Sequence, residues 1–141
     1  MPMRSSEAEW RGKLKEGSGW LRLGSGSFEG TYSFPSRFES GQGTNPEELL
    51  GAAHASCFSM ALAFGLEKAG HPATRVYTTA RVQLDPSAGG FAITRVDLET
   101  EAEVPGIDPA SFQKEAEAAK QSCPISKALA ATKITLIATL R

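Results

Sequence analysis

Four residues of this chain have the types and the spacing to do redox chemistry: Arg37, Glu47, Cys57 and Cys123. A thiol attacks only as thiolate, and apolar surroundings raise its pKa, so a cysteine sunk in a core is inert by itself. A fixed positive charge within a few ångström reverses this. A guanidinium serves best, because it stays charged and its planar fork also engages a carboxylate. Arg37 lies on a glycine-flanked stretch ahead of Cys57, and Glu47 stands between them in sequence, placed to hold the guanidinium. The plain alternatives are a solvated loop charge for Arg37, a helix-dipole partner for Glu47 and a small core hydrophobe for each cysteine.

Other constellations are weaker. Two cysteines are too few for a disulfide scaffold and do not stand at CxxC spacing. His54 lies one helical turn before Cys57, which invites a cysteine–histidine hydrolase, but no orienting acid or oxyanion donors complete it. A zinc site from His54, His71, Cys57 and Cys123 would use every available ligand without a recognisable spacing. Gly24-Ser25-Gly26-Ser27 lies between two strand patterns and opens no helix, so it is a hairpin turn and not a phosphate cradle.

The element that must position these residues runs from Thr44 to Lys68. Asn45 can cap it, Pro46 suits the first helical position, and Glu47 and Glu48 face the orphan N–H groups of the first turn. Gly70 and Pro72 end it. Between Leu49 and Leu66 there is no Asp, Glu, Lys or Arg, so the helix is apolar on nearly all sides and must be surrounded. Gly51, His54, Ser56, Ser59, Gly65 and many alanines favour the centre of a protein core over a membrane span. Glu47 and Cys57 are ten positions apart, about 15 Å along a straight helix, so a bend near Gly51, the reach of Arg37 or a second subunit must close the gap.

Three strands precede this helix. Trp10, Gly12 and Leu14 alternate with Arg11, Lys13 and Lys15; Trp20, Leu21 and Leu23 form the second; Phe28, Gly30, Tyr32 and Phe34 alternate in the third. Pro35–Gly43 reads as a polar loop carrying Arg37 and Phe38. After the helix, Ala73–Leu84 and Phe91–Val104 read as a hairpin turning at Asp85–Gly90. Asp108 and Pro109 start a second helix that reaches Cys123-Pro124, followed by a helical turn over Ile125–Ala131 and a strand over Lys133–Leu140.

This order lacks a running strand–helix–strand alternation, so the fold class is α+β, in a single domain over residues 1–141. One sheet covers one side of the central helix and little chain remains for the other, which predicts a homodimer wrapping two such helices. The net charge of −1 with scattered Lys and Arg offers no surface to nucleic acid or anionic lipid. MPMRSSEAEW has no apolar signal segment, so a cytoplasmic location is expected.

TNPEELLGAAHASCFSMAL, with SRFESGQG upstream and SCPIS downstream, closely resembles the OsmC branch of the OsmC/Ohr peroxidases, and the likeness extends from the N-terminal strands to KITLIATL. The resemblance implies an OsmC-like fold in an intertwined homodimer, with active sites at the subunit interface and a preference for organic hydroperoxides. It implies Cys57 as peroxidatic cysteine, Cys123 as resolving cysteine, Arg37 as activating guanidinium and Glu47 as its carboxylate partner. No metal or other cofactor is implied; a small dithiol or lipoyl-type thiol would reset the pair. Phe34, Phe38 and Met60 are candidates to bury an alkyl group.

Overall fold

The computed structural model describes residues 1–141, which form two compact units, Met1–Leu49 and Leu50–Arg141. In the first, β1 (Ser6–Arg11), β2 (Ser18–Leu23) and β3 (Glu29–Tyr32) make an antiparallel sheet in that order. The alternation from Trp10 to Lys15 is not the first strand: β1 ends at Arg11 because Gly12 takes φ +93° and the Gly17 N–H closes a turn on the Lys13 carbonyl at 2.8 Å. The turn at Gly24–Ser27 forms as expected, with the Gly26 N–H on the Leu23 carbonyl.

The stretch read as loop after β3 begins with a helix, α1 (Phe34–Phe38), which takes Phe34 out of the strand. Ser33 caps it reciprocally: its hydroxyl accepts from the Ser36 N–H at 3.2 Å, while the Ser33 N–H donates to the Ser36 hydroxyl at 2.8 Å. Serine at N3 takes the part usually played by Glu or Gln in this box, which is why the sequence hides it.

α2 (Pro46–Lys68) is built as its punctuation predicts. The Asn45 side-chain oxygen accepts from the Glu48 N–H at 2.8 Å. At the other end the His71 N–H reaches the Leu66 carbonyl and the Gly70 N–H the Glu67 carbonyl, with Gly70 at φ +87°, a Schellman closure.

The second unit continues with β4 (Arg75–Ser87), β5 (Gly90–Glu103), α3 (Pro109–Ser122), α4 (Pro124–Ala128) and β6 (Lys133–Leu140). β4 and β5 are antiparallel, and β6 adds parallel to β5 after the helical crossover that a parallel pair requires. The hairpin turn is tighter than Asp85–Gly90. Asp85 and Pro86 stay in β4, an edge strand that tolerates proline, and the Asp85 carboxylate accepts from Gln83 and Thr94 while Gly89 makes the reversal at φ +82°.

α2 presents His54, Phe58, Leu62 and Leu66, spaced by four, to a core completed by Val96, Leu98 and Ala102 of β5 and Phe112, Ala116 and Ala119 of α3. Gly51 is buried and continues the helix without interruption; a Cβ there would lie 3.4 Å from the Ala80 carbonyl oxygen, so the glycine serves close packing on β4. As the shortage of chain for its second side leads one to expect, the chain by itself does not surround α2. Ala52 and Ser56 are exposed, Met60 is 76% and Phe64 60% exposed, because the unit supplies one sheet and one helix layer to a helix apolar all round. By length and composition α2, with mean hydropathy 1.6, is long and apolar enough to cross a membrane.

Candidate active site

Cys123 stands where α3 gives way to α4. The following Pro124 forces it out of helical geometry, to φ −55° and ψ 123°, while its N–H still closes α3 on the Ala119 carbonyl at 3.0 Å. Its side chain is fully buried. Cys57, half-buried on α2, shares a side-chain hydrogen bond with Cys123, and both thiols are free. Proline has no N–H, so the first amide α4 can offer is that of Ile125, and it donates to the Cys57 sulfur.

Burial pushes the Cys57 thiol up, and the hydrogen bond with Cys123 pushes it further; the Ile125 N–H pulls it down without reversing the direction. None of the groups acting on it carries a positive charge. Unit two therefore supplies a paired dithiol, but not the ionisation that nucleophilic attack demands.

His54, one turn earlier on α2, is completely buried, with Nε2 2.8 Å from the Ser126 hydroxyl of α4. Its Nδ1 has no partner, and burial holds its pKa below the ordinary histidine value, so the ring is neutral at pH 7. The ring is engaged with Ser126 and is not among the groups acting on Cys57, which removes the base from the hydrolase reading. No three His, Cys, Asp or Glu side chains gather into a cluster that could hold a metal.

The lowered His54 pKa has a consequence for stability. A histidine more easily protonated in the unfolded chain contributes its full stability above the unfolded value of about 6.5, and that stability is lost as pH falls from there toward the lower folded value. We expect the urea midpoint to drop between pH 7.5 and 5.5 in the wild type, and less so in His54→Gln; equal drops would locate the acid sensitivity elsewhere.

In the first unit, α1 and the start of α2 are laced together. The Ser36 hydroxyl donates to the Thr44 carbonyl at 2.7 Å, and the Asn45 amide to the Ser36 carbonyl at 3.0 Å. This places Arg37 on Glu47: Nε and Nη2 both donate to Oε1, at 3.1 and 2.8 Å. Glu47 is buried, and its Oε2 has no partner. The guanidinium also lies 5.3 Å from the centre of the Phe38 ring. A cavity of about 190 Å³ opens beside them, walled by Trp10, Leu14, Tyr32, Phe34, Phe38 and Arg37.

Arg37, Glu47, Cys57 and Cys123 thus form two pairs, one in each unit. Phe34 and Phe38 share a cavity, while Met60 belongs to the second unit and is exposed there. Trp10, Leu14 and Tyr32 escape a reading by motif because their signal is strand alternation alone. The Ile125 amide escapes it because any residue type supplies one.

A model of the family described as OsmC-like protein matches residues 39–137. Peroxiredoxin OsmC of Escherichia coli (strain K12) is 48% identical over 134 residues, covering 94% of this chain and 93% of that one. The organic hydroperoxide resistance protein of Xanthomonas axonopodis pv. citri is 36% identical over 94 residues, 62% of this chain and 61% of that one. Among solved structures, the organic hydroperoxide resistance protein OsmC of Legionella pneumophila superimposes with a TM-score of 0.75 at 21% identity, covering 99% of each chain, a likeness of fold. With its paired thiols and its Arg37–Glu47 pair at the positions the motifs mark, the chain belongs to the OsmC-like protein family, in the OsmC branch.

Proposed function

We propose that this chain is a thiol-dependent peroxidase that reduces organic hydroperoxides to alcohols. The observation that carries the reading is the free Cys57–Cys123 pair, one sulfur half-buried and the other fully buried, already hydrogen bonded. The Cys57 thiolate attacks the outer peroxide oxygen; an S–O bond forms, the O–O bond breaks, and the alkoxide leaves as alcohol after taking a proton. The Cys123 sulfur then displaces hydroxide from the sulfenic acid, forming the disulfide and releasing water. A small dithiol or lipoyl-type thiol returns two electrons and resets the pair. To Arg37, of the same chain or of the partner in the dimer, we assign the charge that ionises Cys57, and to Glu47 the holding of the guanidinium.

One equivalent of cumene hydroperoxide should consume both thiols of each chain and leave a Cys57–Cys123 disulfide. Thiols that stay titratable would instead mark a stress-related binding or structural protein. The alkyl group is assigned to the aromatic cavity of Phe34 and Phe38. Burying about 100 Å² of apolar surface at ~25 cal/mol per Å² is worth about 2.5 kcal/mol, so kcat/KM for cumene hydroperoxide should exceed that for hydrogen peroxide by about 70-fold. Equal values would count against the cavity.

The working form is an intertwined homodimer of one OsmC-like domain, residues 1–141. The exposed Met60 and Phe64 support it, as does the absence of charge from Leu49 to Leu66, since a second copy would bury the face the chain leaves open. A stable monomer by sedimentation at micromolar concentration would overturn this assembly.

A further inference from the structure

His54 has no part in the cycle above, yet it is among the largest side chains with no exposure at all. Its Nδ1 is buried without a partner, a standing cost that an apolar side chain of similar volume would avoid. What the ring gains is one hydrogen bond, 2.8 Å between Nε2 and the Ser126 hydroxyl, joining residues 72 positions apart in sequence. The placement of the two ends is informative. His54 is one turn before Cys57 on α2. Ser126 lies three residues after Cys123 and directly follows Ile125, whose amide touches the Cys57 sulfur. α4 has only five residues, too few to hold its place by its own hydrogen bonds.

We propose that the His54–Ser126 hydrogen bond is a positioning element for disulfide formation, tying α4 to α2 so that Cys123 stays within reach of oxidised Cys57. The inference rests on the peroxidase reading. In the step it serves, the S–O bond of the Cys57 sulfenic acid breaks, the S–S bond to Cys123 forms, and the hydroxide leaves as water with the Cys123 thiol proton. No external oxidant or reductant enters this step. Resolution competes with attack of a second hydroperoxide on the sulfenic acid, which gives sulfinic acid. A looser α4 shifts that competition toward sulfinic acid, while its effect on the first attack is small because the Ile125 amide and Cys123 act on the Cys57 thiol in opposite directions.

Ser126→Ala, His54→Gln and the double variant, each checked for folding by thermal melting, are treated with cumene hydroperoxide. Stopped flow follows loss of the Cys57 thiol, and intact mass reads the split between disulfide and sulfinic acid. Ser126→Ala should change the first rate less than about twofold, since the Ile125 amide and the Cys123 contact that α4 carries act on Cys57 in opposite directions, and should raise the ratio of sulfinic acid to disulfide about tenfold, as expected for one lost hydrogen bond. The double variant should be no worse than the worse single one, because both act through the same bond. His54→Leu combined with Ser126→Ala keeps the site apolar and packed, and should retain the defect. A wild-type product split in Ser126→Ala, a first step slowed as much as resolution, or full recovery in the apolar pair would overturn the positioning role. Wild-type thiols that ignore hydroperoxide altogether would sink the peroxidase reading first, and this inference with it.

Discussion

Cys57→Ser is expected to reduce hydroperoxide turnover to the uncatalysed rate, whatever thiol is supplied. The substitution leaves volume and α2 nearly unchanged but replaces the one partly exposed thiol with a hydroxyl that does not ionise near neutrality. Cys123→Ser behaves differently. Its Cys57 still attacks, so each chain should reduce one hydroperoxide; with no second sulfur to displace the hydroxide, the product then advances to sulfinic acid under excess peroxide. The check is hydroperoxide consumption with a dithiol present, alongside intact mass of each variant after one and after ten equivalents. Turnover surviving in Cys57→Ser would falsify the assignment, and a persistent disulfide in Cys123→Ser would mean that the bridge forms between chains.

Arg37→Ala is expected to lower kcat/KM by about 10²-fold at pH 7, the scale seen when one preorganised electrostatic partner is removed. Burial and Cys123 hold the Cys57 thiol above its ordinary pKa, and the Ile125 amide does not compensate, which is why the proposed cycle assigns an added cation to its ionisation. If Arg37 supplies that charge, its loss should return the thiol to this raised value. Each tenfold weakening of the thiol's acidity then cuts the thiolate fraction at pH 7 about tenfold, and the deficit narrows as pH rises. The pH dependence of Cys57 alkylation reads this directly. Arg37→Lys should fall between, since an ammonium keeps the charge but loses the two-armed grip on Glu47 Oε1. Glu47→Gln keeps an acceptor for that grip and should cost less than Arg37→Ala, which leaves a buried carboxylate unpaired. An alkylation profile identical in wild type and Arg37→Ala would remove Arg37 from the chemistry and leave its pairing with Glu47 structural.

The features legible in the sequence are those whose causes are local. Asn45, Asp108 and Gly70 act on backbone groups within a few residues, so the helices of Pro46–Lys68 and Pro109–Ser122 have the caps the residues call for. Pro124 ends α3 through its effect on Cys123 alone, and β6 occupies Lys133–Leu140 as its pattern indicates. Residue type and short motif single out Arg37, Glu47, Cys57 and Cys123 as candidates, and the structure pairs Arg37 with Glu47 and Cys57 with Cys123. α1 was hidden because its capping box uses two serines, a signal too weak to stand out from a polar loop.

What tertiary structure decided is which distant residues meet. Packing of α3 and α4 over the sheet brings Cys123 to Cys57, aims the Ile125 amide at a sulfur and sets Ser126 on His54. The strand register puts Trp10 and Tyr32 in one cavity wall with Phe34 and Phe38, and the crossover lays β6 parallel to β5. Such contacts depend on how whole faces of helices and sheets fit together, and residue type at one position does not encode the partner. The same holds for α2, whose apolar circumference is plain in the sequence, whereas the face left open on it emerges only once the chain's own layers have been placed.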